Sequence, residues 1–391
     1  MENLVEQPRV NVKTEVGIQS AIRGRKVCVT GHTGFKGAWL CEWLLNLGAE
    51  VAGFSLPEPV ATPSLFEQLG LGERLKDTRG DVRDRQAVVD WMVREEPDFM
   101  FHLAAQPLVR LSYREPVMTW ETNVLGTIHV MEGLRRLTRP CAAILITTDK
   151  VYENREWLYG YREVDPLGGR DPYSSSKAAT EIAIASWRDS FFRDHPVRIA
   201  SARAGNVIGG GDWAEDRIVP DLVRALQAGR PVPVRNKRST RPWQHVLEPL
   251  SGYLLLAARL SAGQGGSTKR GDDDDNTLPH AKDLEIRSND SLCSAFNFGP
   301  HLESNRTVKD LVEEALKHWP GRWEDRSDPN APHEAGKLNL VWDKAHHVLG
   351  WSPRWSFAET VEKTVAWYRE AAEGADPTEL TRRQIAEYSQ S

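Results

Sequence analysis

Two short segments hold side chains that could carry acid–base chemistry. Thr148-Asp149-Lys150 directly follows an apolar run, and Tyr173, alone among the eight tyrosines, has a lysine four positions on, Lys177. A phenol titrates near ~10, so it accepts a proton at neutral pH only where nearby positive charge stabilises its phenolate. Residues four apart are neighbours on a helix, which places Lys177 beside Tyr173. By itself such a pair is commonly solvated helix surface, so its meaning depends on the rest of the chain.

A glycine-rich loop upstream gives the pair its context. The apolar run 27–30 leads into Gly31-x-x-Gly34-x-x-Gly37, after which a helical pattern begins. Glycines let the backbone come close to a pyrophosphate, and the free amides at the start of the helix face the anion. We therefore predict a dinucleotide site and redox chemistry on a bound nicotinamide. The expected contacts from this loop are Gly31, Thr33, Gly34, Phe35, Lys36 and Gly37.

The end of the second predicted strand bears on the choice between NAD and NADP. An acid that binds the adenine ribose is expected there, but the chain has Ser55. No arginine stands close by in the sequence to bind a 2′-phosphate, and Lys36 is the nearest base. NAD is the expected cofactor, with NADP left open. Further expected cofactor contacts, some of which could instead be ordinary strand ends, are Asp81, Val82, Leu103, Ala104, Ala105, Tyr173 and Lys177.

Apolar runs alternate with helical periodicities through the first half of the chain, which is the pattern of a parallel sheet covered on both faces. We predict an α/β fold, a Rossmann-type doubly wound parallel sheet with a smaller C-terminal substrate-binding lobe. Ligands of such sheets bind beyond the carboxyl ends of the strands. Strands are predicted at 26–30, 51–54, 99–103, 142–147 and 197–202. Helices are predicted at 37–47, 83–95, 116–136 and 173–192, and shorter ones at 218–228, 247–260, 308–318 and 357–371.

Composition changes along the chain predict four parts. Residues 1–23 are polar and predict a loose N-terminal extension, and 24–205 predict the NAD-binding domain with the catalytic residues. Residues 206–372 predict a substrate lobe mixed with returning core elements, and 373–391 a C-terminal tail. Within the lobe, 261–291 is rich in Gly, Ser and charge and predicts a polar insertion. Its four successive aspartates could hold a metal, but a solvated loop is favoured, and no metal site is expected.

Charge and cysteine usage narrow the class of protein. Fifty basic and fifty-five acidic residues give a formal charge of −5, which argues against a general nucleic-acid or anionic-membrane surface. The four cysteines are far apart and lack zinc-binding spacing, which indicates a reducing compartment. Neither a signal-peptide h-region nor a transmembrane stretch of ~20 apolar residues is present. A soluble, cytoplasmic protein is expected.

A basic cluster in the second half predicts a ligand that bears phosphate. Arg235, Lys237, Arg238 and Arg241 form the densest group of cations in a net acidic chain. The planar fork of arginine matches phosphate oxygens, although part of such a cluster can simply be solvated. The predicted substrate contacts are Gln106, Asn206, Arg217, Arg235 and Arg241.

Several of these segments together resemble a known family. The glycine loop, Asp81, Leu103-Ala104-Ala105, Thr148 and Tyr173-x-x-x-Lys177 are similar to the extended short-chain dehydrogenase/reductases that modify nucleotide sugars. Within that family, segments 31–37, 147–154, 171–174 and 203–213 resemble the branch that dehydrates CDP-glucose. The likeness spans roughly 25–371 and does not cover the N-terminal extension or the polar insertion.

The resemblance implies a hydro-lyase that turns CDP-glucose into its 4-keto-6-deoxy product on one tightly held NAD. Tyr173 would take the proton of the sugar 4-hydroxyl, Thr148 would hydrogen-bond that oxygen, and Lys177 would keep the phenol acidic. Asp149 would be the acid of the elimination and Lys150 the base or proton carrier, where dTDP-glucose relatives have Asp-Glu.

The resemblance also implies a homodimer built on helices 116–136 and 173–192.

Two alternatives to this function stay open. The first is a 4,6-dehydratase or 4-epimerase acting on a dTDP-, GDP- or UDP-linked sugar. The second is a non-catalytic NAD-sensing protein on the same fold, which would gain nothing from keeping Thr148, Tyr173 and Lys177.

Overall fold

The computed structural model describes residues 11–59, 61–262, 292–327 and 337–391. The predicted polar insertion, 261–291, lies outside these residues except for its first two positions, which end a helix. Across the described ranges, no helix combines the length and apolar character needed to cross a membrane. The four cysteines lie in the described ranges and form no disulfide bond there, and three of them are buried.

One seven-stranded sheet, parallel throughout, forms the centre of the molecule. Its strands are β1 Lys26–Thr30, β2 Glu50–Ser55, β3 Lys76–Arg79, β4 Phe99–His102, β5 Cys141–Ile146, β6 Val197–Arg203 and β11 Ala295–Asn297. Their order across the sheet is β11-β6-β5-β4-β1-β2-β3. The chain thus moves outward from β1 in both directions, which confirms the predicted doubly wound α/β fold.

Shorter strands lie outside this sheet in three pairs. They are β7 Val207–Ile208 with β10 Gln244–His245, β8 Val232–Val234 with β13 Trp323–Asp325, and β9 Thr240–Pro242 with β12 Asn305–Thr307. These pairs belong to the second half of the chain, whereas β11 from the same half pairs with β6 in the central sheet. Such mixing is what a substrate lobe with returning core elements predicts, and the two-lobe division stays a prediction.

Helices cover both faces of the central sheet. The described helices are α1 Asn11–Ile22, α2 Phe35–Asn46, α3 Leu65–Gln68, α4 Arg85–Glu95, α5 Val109–Arg114, α6 Pro116–Trp120, α7 Gly126–Leu134, α8 Pro172–Phe191, α9 Ile218–Gln227, α10 Leu247–Ala262, α11 Val308–His318, α12 Phe357–Ala372 and α13 Pro377–Gln390. Successive strand residues point to opposite faces. In β1, Val27 and Val29 join one apolar core while Cys28 joins the other. Burial on both faces explains why the strands read as continuous apolar runs.

The predicted strands and helices match the observed bounds to within two residues, with one interruption. The segment predicted as one helix over 116–136 contains a π-helical turn, Glu121–Leu125, between α6 and α7. Two strands of the central sheet were not predicted. β3 is a polar edge strand with mostly exposed residues, and β11 has only three residues. Neither carries the apolar pattern by which the inner strands were recognised.

Both chain ends pack against the core, so the predicted loose extension and tail are wrong for the described residues. α1 buries Ile18 and Ile22, and α13 buries Leu380, Ile385 and Tyr388. α1 contacts α10 and α13. The apolar residues of these helices are few and widely spaced, which hid them in polar segments. Their packing adds a layer behind the glycine loop helix, α2.

Candidate active site

The glycine loop joins β1 to α2 at the carboxyl edge of the sheet. Gly31 has φ +73°, and a side chain there would lie 2.7 Å from the Ala104 nitrogen. A side chain at Gly37 would lie 2.1 Å from the Gly31 carbonyl oxygen. No side chain caps the start of α2, so its first amides remain available to an anion. The loop therefore fits the pyrophosphate of a dinucleotide, as predicted from the sequence.

Other predicted cofactor residues surround this loop. The Thr33 amide donates to the Ser55 hydroxyl at 3.4 Å, and both side chains are buried. Phe35, Leu103 and Ala105 line the cleft that opens beyond the sheet edge. The structure thus brings the ends of β1, β2 and β4 together around one space.

Lys36 points toward the catalytic segment. Its ammonium donates to the Tyr253 hydroxyl of α10 at 2.9 Å. Burial lowers the pKa of Lys36 to about 7, and the positive charges of Lys177 and Arg217 add to that effect. From the sequence, Lys36 was the base predicted nearest to a possible 2′-phosphate. Its side chain instead lies among the residues around Asp149. Tyr253, which holds it there, gave no signal in the sequence.

Tyr173 lies in the first turn of α8. Asp171 caps this helix by accepting from the Ser174 amide at 2.9 Å, and Pro172 occupies the first helical position. Burial raises the pKa of the Tyr173 phenol to about 12, against the opposing effects of a hydrogen bond with Thr148 and the guanidinium of Arg217. The phenol is therefore protonated at neutral pH unless further positive charge reaches it.

Lys177 lies one turn further along α8 and is buried. Its ammonium donates to the Ile146 carbonyl, the last residue of β5, at 3.4 Å. Burial lowers the pKa of Lys177 to about 8, while the carboxylate of Glu181 opposes that shift. The lysine is therefore a cation near neutral pH that is anchored to the strand beside Thr148.

Asp149 is fully buried and connects the two catalytic segments. The Thr148 hydroxyl donates to one carboxylate oxygen at 2.9 Å, and the Asn206 amide donates to the other at 3.5 Å. The Lys150 ammonium lies 3.8 Å from the Asp149 carboxylate and is 24% exposed. A continuous polar path therefore runs from Tyr173 through Thr148 to Asp149 and Lys150.

A close contact between Gly205 and Asp149 yields a prediction. A side chain at Gly205 would lie 1.9 Å from the Asp149 carboxylate carbon, so Gly205→Ala must displace that group. Because a misplacement of ~1 Å can cost ~10²-fold in rate, we expect dehydration turnover to fall by about that factor. Gly72→Ala is the control, since its nearest neighbour would be 3.6 Å away. Equal turnover in the two variants would contradict a role for Asp149 in its present position.

A buried ion pair supports the catalytic helix from behind. Glu181, one turn after Lys177, accepts from Arg203 of β6 at 2.9 Å, and both side chains are almost fully buried. The Glu181 carboxylate also accepts from the hydroxyls of Thr147 and Ser201. Burial raises the pKa of Glu181, but the Arg203 charge and these hydrogen bonds lower it overall. This ion pair was not predicted, although Glu181 lies four residues after Lys177 in the sequence.

Neutralising one member of this pair should destabilise the fold. Glu181→Gln leaves the Arg203 guanidinium buried without its counter-charge, which costs about 3–5 kcal/mol of unfolding free energy. Urea denaturation checks this value. Glu370→Gln is the matched control, because its 2.8 Å pair with Arg383 is partly exposed and should contribute less than about 1 kcal/mol. Equal midpoints for both variants would contradict the expectation.

A cleft of about 1150 Å³ opens over the sheet edge and joins these groups. It is lined by all five predicted catalytic residues and by four of the predicted substrate contacts, Asn206, Arg217, Arg235 and Arg241. Arg217 bonds to Asp212 at 2.8 Å, and Arg235 bonds to Asp216 and Asp221. Their ion pairs hold these arginines in place along the cleft, where they could meet a diphosphate.

Three predicted site residues, none of which lines the cleft, bond to other parts of the protein. Gln106 is buried, and its side-chain amide bonds to Thr119 and to the Leu108 backbone. Asp81 binds Arg83 through both the backbone amide and the guanidinium. The Val82 carbonyl accepts from His129. Gln106 therefore stabilises the loop after β4, which corrects its prediction as a substrate contact. The Asp81 carboxylate is already bound by an arginine.

The described residues contain no group of three His, Cys, Asp or Glu side chains arranged to hold a metal ion.

A doubly wound sheet, a glycine loop built for a pyrophosphate, and a Tyr-x-x-x-Lys helix define the extended short-chain dehydrogenase/reductases. The family model described as GDP-mannose 4,6 dehydratase matches residues 28–364, and the chain belongs to that family.

Individual relatives agree with this assignment. The chain is 42% identical over 375 residues to CDP-glucose 4,6-dehydratase of Salmonella typhimurium, covering 94% of this chain and 96% of the relative. The dTDP-glucose 4,6-dehydratase of Streptomyces venezuelae, solved with NAD bound, matches at a TM-score of 0.68 and 21% identity, covering 90% of this chain and 99% of that one. The UDP-glucose 4-epimerase of Thermotoga maritima matches at a TM-score of 0.70 and 21% identity, covering 88% and 99%. At such identities the two structures show the fold alone.

Proposed function

We propose that this chain converts CDP-glucose to CDP-4-keto-6-deoxyglucose and water, with NAD as the resident redox cofactor. The observation that carries the proposal is the 42% identity to a CDP-glucose 4,6-dehydratase along almost the whole chain. The buried Asp149 beside Lys150 supports it, because a 4-epimerase has no elimination step that would need a second acid–base pair.

Oxidation of the sugar is the first step. Bound NAD would supply a store for the hydride that leaves sugar carbon 4 and returns at carbon 6. Tyr173 takes the proton of the 4-hydroxyl, and Thr148 hydrogen-bonds the same oxygen. Because burial raises the pKa of Tyr173, the positive charges of Lys177 and Arg217 are needed to favour the phenolate.

Elimination of water follows. The 4-ketone acidifies the hydrogen at carbon 5, and Lys150 removes that proton. Asp149 gives a proton to the departing 6-hydroxyl, which leaves as water. Bound NAD would return the hydride to carbon 6, and Lys150 would give the proton it took back to carbon 5. The polar path from Tyr173 to Lys150 lets both half-reactions proceed on one bound sugar.

A nucleotide-sugar panel tests the function. Purified protein is incubated with CDP-, dTDP-, GDP- and UDP-glucose, and each product is weighed by mass spectrometry, while the extracted cofactor is identified separately. We expect loss of one water from CDP-glucose with NAD recovered intact. An isomer of unchanged mass would instead indicate an epimerase, and loss of water only from another nucleotide sugar would overturn the choice of CDP-glucose.

Isotope transfer tests the route of the hydride. CDP-glucose that carries deuterium at carbon 4 should give product with the label in the new methyl group, within one molecule. Label lost to solvent, or retained at carbon 4, would contradict the internal return of the hydride.

A homodimer is also proposed. Large apolar side chains on neighbouring helices are exposed, with Val117 and Trp120 on α6 and Ile182 and Phe191 on α8. Such a patch favours burial against a second copy. Light scattering should give twice the 44.0 kDa chain mass, and Ile182→Asp should give the chain mass. A cytoplasmic location is proposed because the four cysteines, all in the described part of the chain, form no disulfide bond.

A further inference from the structure

The buried pair of Glu181 and Arg203 is joined by a tyrosine from the other catalytic segment. One terminal nitrogen of Arg203 donates to the Tyr152 hydroxyl at 2.8 Å, while the other donates to Glu181 at 2.9 Å. Tyr152 lies two residues after Lys150, and Glu181 lies one turn after Lys177 on α8. One planar guanidinium therefore bonds to both segments that carry the predicted catalytic residues.

The Tyr152 hydroxyl is bonded on both sides. It accepts from Arg203 and donates to the side-chain oxygen of Asn297 in β11 at 2.7 Å. The side chain is buried, and its ring stacks on Tyr161 with the ring centres 5.1 Å apart. Burial raises the pKa of the Tyr152 phenol, although the positive charge of Arg203 opposes this shift. The phenol therefore stays protonated near neutral pH, which suits a fixed hydrogen-bonding group and does not suit an acid or base.

The turn that bears Lys150 is tied to the end of β6 on both sides of that lysine. Before it, the Asp149 amide donates to the Ala204 carbonyl at 3.3 Å. The Lys150 amide itself turns back to the Thr148 hydroxyl at 3.4 Å. After it, the Tyr152 hydroxyl bonds to the guanidinium at the end of β6. Lys150 and Tyr152 both line the cleft, so the direction of the lysine into the cleft depends on how firmly this turn is held.

We propose that Tyr152 is a positioning residue whose hydroxyl holds the turn bearing Lys150 in place relative to Tyr173. The inference rests on the proposed dehydration of CDP-glucose, in which Lys150 and Tyr173 act in turn on one bound sugar. Loss of the hydroxyl would release one side of the Lys150 turn, whereas Lys177 would stay bonded to the last carbonyl of β5. Elimination should therefore suffer more than oxidation.

Tyr152→Phe tests the proposal, because it removes the hydroxyl and keeps the ring that stacks on Tyr161. CDP-glucose is added once to the full-length protein loaded with NAD. Reduced nicotinamide is followed by absorbance, and the dehydrated product is measured by mass. We expect dehydration to slow by about ten-fold, which is part of the ~10²-fold that a misplacement of ~1 Å can cost. Because oxidation continues, the ratio of reduced nicotinamide to product should rise by a similar factor.

Tyr388→Phe is the matched control. Its hydroxyl is equally buried and bonds to Glu248 and Ser251, which lie away from the cleft. Its loss should lower stability and leave the ratio within about two-fold of the unaltered protein. Both signals come from the same folded molecules, so the ratio does not depend on what fraction of a variant folds. Equal ratios in the two tyrosine variants would overturn the proposal, even if turnover fell in both.

Arg203→Lys tests the same hydrogen bond from its other side. A lysine keeps a cation beside Glu181 but lacks the rigid fork that bonds two groups in fixed directions. The ratio of reduced nicotinamide to product should again rise. A ratio equal to that of the unaltered protein would show that the link between Arg203 and Tyr152 does not position Lys150.

The outcome is separable from that of the proposed function. If the unaltered protein dehydrates CDP-glucose and Tyr152→Phe leaves the ratio unchanged, only the role of Tyr152 is wrong. If the unaltered protein forms neither reduced nicotinamide nor a dehydrated product, the proposed function itself is wrong.

Discussion

Replacing Tyr173 with phenylalanine should lower the turnover of CDP-glucose by about 10³-fold, within the range expected for a general base. The change removes only the hydroxyl that would take the sugar proton. The ring would still fill the buried first turn of α8, where the Tyr173 amide bonds to Ser112. Cofactor content should therefore be unchanged, and no reduced nicotinamide should form when substrate is added. Product formation and extracted NAD are measured on the same preparation.

The control for this substitution is Tyr159→Phe, at a tyrosine that is 73% exposed. It removes the same hydroxyl from the loop that precedes α8 and should leave turnover within about two-fold. If Tyr173→Phe retained normal turnover, the assignment of the base would be wrong. If it lost its cofactor, the Tyr173 hydroxyl would be needed to hold the dinucleotide, and its predicted cofactor contact would explain the lost turnover as well as a role as base.

The inner strands, the glycine loop and the catalytic helix could be predicted because each carries a local pattern. β1, β5 and β6 are apolar on both faces, and Asp171-Pro172 marks the start of α8. The carboxyl-edge rule then places Gly31 and Asp149 at one side of the sheet without knowledge of contacts. The structure agrees, since Phe35 and Lys36, which follow the glycine loop, border the same cleft as Asp149.

What could not be predicted depends on contacts between distant polar residues. β3 is exposed and polar, so nothing in its sequence indicated that Arg79 lies opposite Ser55. Gln106 follows a strand end, as a ligand-binding residue would, yet its side-chain amide forms hydrogen bonds with Thr119 and with the Leu108 backbone. The direction of the Lys36 side chain could not be predicted for the same reason, because its partner Tyr253 is far away in the sequence. Side-chain direction at such positions is set by the tertiary hydrogen bonds that each group can satisfy.

Replacing Lys150 with methionine should separate the two half-reactions. The ammonium lies 3.8 Å from the buried Asp149 carboxylate and is partly open to the cleft, whereas Tyr173 and Thr148 would be unaffected. Oxidation at carbon 4 should therefore proceed while removal of the carbon 5 proton fails. We expect net dehydration to fall by about 10²–10³-fold, with the 4-keto sugar and reduced nicotinamide accumulating in stoichiometric amounts on the protein.

Absorbance of reduced nicotinamide after one addition of CDP-glucose measures this accumulation, and quenched samples identify the sugar by mass. Lys317→Met is the control, because that lysine is exposed and pairs with Glu314 away from the cleft. Lys150→Arg adds a further distinction. If Lys150 only balances the charge of Asp149, arginine should restore dehydration, but if it carries the carbon 5 proton, arginine should stall like methionine, since a guanidinium does not give up its proton. Unaltered dehydration in Lys150→Met would remove Lys150 from the mechanism and leave Asp149 as the only group of this pair able to move protons.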